Sequence, residues 1–119
     1  MKGRGADLSQ TTLFSTLEEL LNPEDTLYKL SDRIPWDRLD KEFSSLYSSE
    51  GRPAKPIRLM ISLLLLKQMY NLGDETVLTS WVRNPYWQYF SGYTIFQWNA
   101  PLAASDLVHF RHRIVSIGL

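Results

Sequence analysis

The sequence predicts an all-α fold: a compact bundle of about six or seven short helices, helix-turn-helix-like in its centre, behind a disordered N-terminal tail. Three observations carry this. Apolar residues recur three and four apart along most of the chain, the period of a helix with one buried face. Proline, glycine and asparagine cut that pattern into helix-length pieces. No segment alternates apolar and polar residues persistently, so no strand is expected. With 119 residues, 44% of them hydrophobic, a single domain can build a core without cross-links. The expected division is a flexible tail over residues 1–8 and one helical domain over residues 9–119.

The elements follow in order. Met1 to Ala6 carries no apolar pattern and reads as the loose tail. Leu13, Phe14, Leu17, Leu20 and Leu21 recur at helical spacing, and Ser15 with Glu18 can form a capping box. Asn22-Pro23 ends that helix and opens the next, with Asn22 as N-cap and an apolar stripe of Leu27, Leu30 and Ile34. A third helix opens at Pro35 and carries Trp36, Leu39, Phe43, Leu46 and Tyr47 on one face, with charge opposite. Ser48 to Lys55 is a polar connector. Pro56 then starts the most apolar helix, Ile57 to Tyr70, the natural centre of a core. Gly73 is the expected C-cap and Asp74 the cap of a helix that buries Val77, Leu78, Trp81 and Val82. Asn84-Pro85 repeats the cap-then-proline signal for a short aromatic helix through Phe90, closed by Gly92. Tyr93 to Ala104 has no helical period and reads as an ordered loop. Ser105 is the expected cap of a last helix, Asp106 to about Ile117.

Enzyme chemistry finds little support in these residues. There is no cysteine, which removes disulfides, thiolate metal sites and cysteine nucleophiles and fits a reducing compartment. Met1 to Gln10 lacks the apolar core of a secretory signal. Leu59 to Leu66, broken by Ser62, is far shorter than the roughly 20 apolar residues of a membrane span. His109 and His112 stand three apart with no glycine-framed serine, so no nucleophile has a base beside it. An HxxH pair alone lacks the third ligand that zinc wants, so neither a metal nor a cofactor is expected. The six glycines match neither nucleotide-binding fingerprint. Carboxylate pairs such as Glu18-Glu19 sit at helix starts, where they favour the helix dipole.

Charge points towards binding. The net charge is zero, but its distribution is uneven. Residues 18–50 hold nine acids against Lys29, Arg33, Arg38 and Lys41, and residues 51–119 hold seven bases against Asp74, Glu75 and Asp106. Ordinary solvated helix faces give the same split, so it identifies no partner alone. Leu59 to Arg83 has the order helix, glycine-containing turn, helix. Yet its second helix opens with Asp74 and Glu75, which repel phosphate, and a plain helical hairpin is the better reading. The last helix is more promising. At 100° per residue, Leu107, Val108, Phe110, Ile114, Val115 and Ile117 share one arc, while His109, His112, Arg113 and Ser116 lie opposite. Arg111 falls inside the apolar arc and is expected to bond a neighbour. The connector Gly51-Arg52-Pro53-Ala54-Lys55-Pro56, with Arg58, presents three cations on a proline-stiffened strip suited to backbone contacts. Arg52, Lys55, Arg58, His109, His112 and Arg113 are therefore the candidate DNA-binding residues, with solvated surface the alternative for each. The aromatic run from Trp81 to Trp98 has no cation between Asn84 and Pro101. It reads as core or a docking surface, not as a base-stacking platform.

Four ordered blocks carry a family resemblance. They are Gly51-Arg52-Pro53-Ala54-Lys55-Pro56-Ile57, Leu59 through Gln68, Trp81 through Phe90, and Ser105 through Ile114, with Asn22-Pro23 and Ile34-Pro35-Trp36 upstream. Together, over about residues 13–114, they resemble the N-terminal region of InsH-like insertion-sequence transposases. Such proteins bind terminal inverted repeats, then cut and join strands with a metal-dependent Asp-Asp-Glu domain. The resemblance implies a helical DNA-binding region acting on double-stranded terminal repeats, in a cytoplasmic, nucleoid-associated setting in bacteria. The alternatives are an interaction module, which pairs with and inhibits intact transposase or dimerises with itself, and a relic without function. Val115-Ser116-Ile117-Gly118-Leu119 departs from the family's usual continuation, and the sequence stops where the catalytic domain would begin. The expectation is thus a truncated or frameshifted transposase, or a fragment of one, without catalysis of its own.

Overall fold

The structure, a computed structural model, describes residues 16–46 and 55–116. Among the described residues all regular structure is helical: α1 (Leu17–Leu20), α2 (Thr26–Arg33), α3 (Trp36–Leu46), α4 (Ile57–Tyr70), α5 (Asp74–Trp81), α6 (Pro85–Phe90) and α7 (Ala104–Ser116). The all-α expectation stands. The expected tail over residues 1–8, the apolar pair Leu13 and Phe14, and Arg52 lie outside the described residues.

Helix ends fall where local groups satisfy the free backbone amides and carbonyls, and this moves five of the expected caps. The capping box at α1 is formed by Thr16 and Glu19, one residue beyond the expected Ser15–Glu18 pair: the Thr16 hydroxyl accepts from Glu19 N at 3.3 Å, and the Glu19 carboxylate accepts from Thr16 N at 3.0 Å. α2 does not start at Pro23. Asn22 uses its carbonyl on Glu24 N, 2.9 Å away, to close a turn, and Asp25 caps the helix through Leu27 N and Tyr28 N at 2.9 and 3.1 Å. α4 ends at Asn71, which takes the left-handed conformation (φ 55°) expected of Gly73. Gly73 instead precedes α5 as its N-cap, displacing Asp74 into the first turn. α7 starts at Ala104, before Ser105, because the Asp106 carboxylate accepts from Ala103 N at 2.9 Å. The Asn84-Pro85 signal holds: Asn84 accepts from Tyr86 N and Trp87 N at 2.9 and 3.3 Å.

α4 is the central element and packs against α3, α5 and α7. Its Leu59, Leu63 and Leu66 are wholly buried against a core that includes Val77, Trp81, Phe90 and Leu107. Each such side chain contributes about 1.5–3 kcal/mol of transfer free energy. A second, smaller cluster joins Leu17, Leu21 and Tyr28 to the outer side of α6, where Tyr28 stacks on Tyr89 with centroids 4.4 Å apart. The buried Ser91 and Gln88 are both hydrogen-bonded. Ser91 Oγ accepts from Trp81 Nε1 at 2.9 Å and donates to the Trp87 carbonyl at 2.9 Å. Gln88, wholly buried, donates to the Gln97 carbonyl at 3.0 Å and accepts from Gln97 N at 2.6 Å. That pair fixes residues 93–103 as an ordered loop without any helix.

α4, the turn at Asn71–Gly73 and α5 form a helical hairpin. Asp74, at the start of α5, accepts from Arg111 of α7 through both oxygens, at 2.9 and 3.3 Å, with Lys67 at 3.8 Å. The end of α5 that a recognition helix would present to DNA is therefore tied to α7. Arg111 bonds a neighbour, as its place inside the apolar arc requires.

Candidate nucleic-acid interface

The basic residues divide between two places. Arg58 lies in the first turn of α4, and its guanidinium sits over the Trp36 ring, 4.4 Å from the centroid. The first turns of α3 and α4 therefore meet. Arg58 Nε donates to the Phe90 carbonyl at 3.1 Å, and Nη2 donates to Ser31 Oγ at 3.1 Å and to the Tyr89 carbonyl at 3.3 Å. A cation at the last carbonyls of α6 also complements that helix's dipole. Burial pulls the guanidinium below its ordinary value, opposed by the nearby Tyr89, Asp32 and Asp37. Arg58 thus joins α2, α3, α4 and α6, a role that the charge pattern of the connector did not reveal. It remains partly exposed.

Around Arg58 the surface is concave. A hollow of about 450 Å³ is walled by Ile34, Pro35, Trp36, Asp37, Arg38 and Arg58. Another of about 300 Å³ shares Ile34, Trp36 and Arg58 and continues to Ser31, Tyr89 and Thr94. Arg38, exposed in the first turn of α3, stands in sequence among the acids of residues 18–50. Only the crossing of α3 with α4 brings it beside Arg58. Lys55, half-buried, leads into α4 from the same side of the sequence. Tyr89 donates its hydroxyl to Asp32 at 2.9 Å, and burial, with hydrogen bonds to Tyr28 and Asp32, pushes that phenol well above the ordinary tyrosine range.

The second place is α7. Leu107 and Phe110 are buried and Ile114 half-buried, so the expected apolar arc faces the core. His109 and His112 are exposed, and Arg113 is half-buried. Arg111 pairs with Asp74 beside Lys67, and Lys67 lies nine residues beyond Arg58 on α4. Arg111 and its partner Asp74 therefore lie about 13 Å along α4 from the Arg58 cleft.

The aromatic run splits by position. Trp81, Trp87 and Phe90 are core, while Trp98 is 79% exposed and Ile95 48%. Trp98 meets Phe96 edge-on at 5.3 Å. Leu20, also exposed, belongs to the neighbouring helix α1, which is joined to this loop by the bond from Leu17 N to the Thr94 carbonyl at 2.7 Å. Among the described residues, no three His, Cys, Asp or Glu side chains come together as a metal-binding group, and no helix is long and apolar enough to cross a membrane.

Comparison with known proteins bears on this arrangement. A family described as "Transposase domain (DUF772)" matches residues 15–113. A relative from Rhizobium meliloti, described as "Uncharacterized protein ORF8 in nfe locus", is 45% identical over 103 residues, which is 87% of this chain and 50% of the relative. The chain spans about half the length of that curated relative. No solved structure matches.

Proposed function

Since this chain belongs to the transposase domain family DUF772, we propose that it is a DNA-binding domain that engages the terminal inverted repeats of an insertion sequence. Family membership over residues 15–113 is the observation that carries this reading. The exposed Arg38 beside the Arg58 cleft and the exposed imidazoles of His109 and His112 on α7 support it, because phosphate contacts need solvent-facing donors. Arg52, Lys55, Arg58, His109, His112 and Arg113 are the contacts proposed, and Arg38 joins them from the structure. The buried hydrogen bonds of Arg58 give it a structural task as well.

Fluorescence anisotropy with a labelled terminal-repeat duplex, against a scrambled duplex at two salt concentrations, tests the reading. Salt-sensitive binding that prefers the true repeat is expected. Neutralising Lys55 should reduce the slope of log affinity against log salt by about one unit. Equal, weak affinity for both duplexes would remove the reading.

The exposed Trp98 and Ile95 favour a second role alongside the first, contact with intact transposase or with a second copy of this chain. Sedimentation of the native chain and of Trp98→Ser addresses it. Association that weakens in the variant supports this role, and a monomer with no affinity for intact transposase removes it.

A further inference from the structure

An arginine on an open surface samples many rotamers, and all but one are lost when it grips an oxyanion. Arg58 is already held. Its Nε and Nη2 hydrogens point inward to the Phe90 and Tyr89 carbonyls and to Ser31 Oγ, and its face lies on Trp36. Gly92 confirms how tightly the stem is seated: a Cβ there would stand 2.9 Å from Arg58 Cδ. The Nη1 hydrogens have no partner among the described residues, and Arg58 walls both hollows. Across the larger one stands Arg38, exposed and on a different helix.

We infer that the cleft between Arg58 and Arg38 is a seat for one phosphodiester of the DNA backbone, with Arg58 as its fixed floor and Arg38 as its mobile arm. This rests on the DNA-binding reading. The local charge suits a singly charged diester. In the larger hollow Arg38 and Arg58 stand against Asp37, a net charge of +1, while Asp32 lines the smaller hollow and accepts from the Tyr89 hydroxyl. A group with two negative charges would meet Asp37 with little positive excess to compensate. A contact to a backbone phosphate contributes to register and orientation, not sequence.

The test uses ¹H–¹⁵N spectra of the full chain, reading Arg58 Nε–H, which is bonded to Phe90, and Trp36 Nε1–H, which is bonded to the Ser31 carbonyl at 2.9 Å. The first probe is the dinucleotide dTpdT, which carries one diester charge and no terminal phosphate. Both signals should shift in the millimolar range. Arg38→Gln, an exposed change outside the core, should weaken dTpdT by roughly threefold, and Arg38→Lys should recover part of the loss. Signals that stay still up to about 20 mM, or that shift equally in Arg38→Gln, would overturn the seat. The second probe is the terminal-repeat duplex. A duplex that binds while both signals stay fixed overturns the seat but leaves the DNA reading standing. Shifts with dTpdT and no duplex binding support the cleft's chemistry and remove the DNA reading instead. Movement with phosphatidylglycerol vesicles but not with the duplex would overturn the assignment to DNA.

Discussion

Gly92 adopts φ +95°, a left-handed conformation that disfavours any residue with a Cβ, and its α-carbon lies against the Arg58 stem. Gly92→Ala meets both penalties at once. The backbone strain costs about 1–2 kcal/mol, and relief of the clash shifts the Arg58 stem, whose guanidinium holds the Tyr89 and Phe90 carbonyls. A loss of about 2–3 kcal/mol in urea unfolding is expected. A change below about 0.5 kcal/mol would mean that Arg58 moves without consequence. Glycine after an aromatic helix was legible in the sequence as a helix stop. Its second duty, room for an arginine from another helix, was not, because that arginine is 34 residues away in sequence.

Two elements depend on long-range polar bonds. α5 is tied to α7 by Asp74 and Arg111. The hydrogen bonds from Arg111 hold the Asp74 carboxyl below its ordinary value, aided by its charge and that of Lys67 and opposed by burial. A lowered folded value means that the unfolded chain takes up the proton first as pH falls. The interaction's stabilisation is complete above the unfolded value of about 3.9 and is lost as pH drops through the lower folded one. Asp74→Asn should remove about 1 kcal/mol at neutral pH, a figure reduced for the partial exposure of Arg111, and should flatten the acid limb of the stability curve. An unchanged acid limb would assign that pH dependence to other carboxylates. The loop 93–103 depends on Gln88. Gln88→Leu leaves the Gln97 N–H and carbonyl without their buried partner, which costs about 2–3 kcal/mol. Limited proteolysis should then cut within residues 93–103 while the other helices persist, and uniform resistance would show that the loop is held by apolar packing instead.

At the scale of the molecule, α4 organises everything else. Leu63 is wholly buried among the helices around it. Leu63→Ala should cost about 2–5 kcal/mol and lower the melting temperature by roughly 10 °C or more, and a single cooperative transition should persist if one core serves the whole domain. Separate transitions for α1–α2 and for the rest would instead assign the Leu17–Leu21–Tyr28 cluster its own stability. The same centrality explains the two basic places. Arg58 and Lys67 are nine residues apart on one helix, so the cleft and the Arg111–Asp74 pair beside Lys67 keep a fixed separation when they meet a partner.

The helical class, the proline and asparagine breaks, the buried stripe of α4 and the outward His109 and His112 were determined by the sequence alone, since each depends on residues within about two helical turns. The caps slipped by one to three residues because several neighbouring side chains compete for the same free amides. Thr16 over Ser15 and Asp25 over Asn22 are choices that local pattern leaves nearly degenerate. Only the tertiary structure decided that Arg58 is held by three other helices, that Arg38 faces it across a cleft, and that Asp74 belongs to Arg111. The physical reason is common to all three. A charge is assigned its partner by which helices cross, and the crossing of α3, α5 and α7 over α4 is set by the packing of buried leucines and aromatics, not by the sequence neighbours of the charge itself.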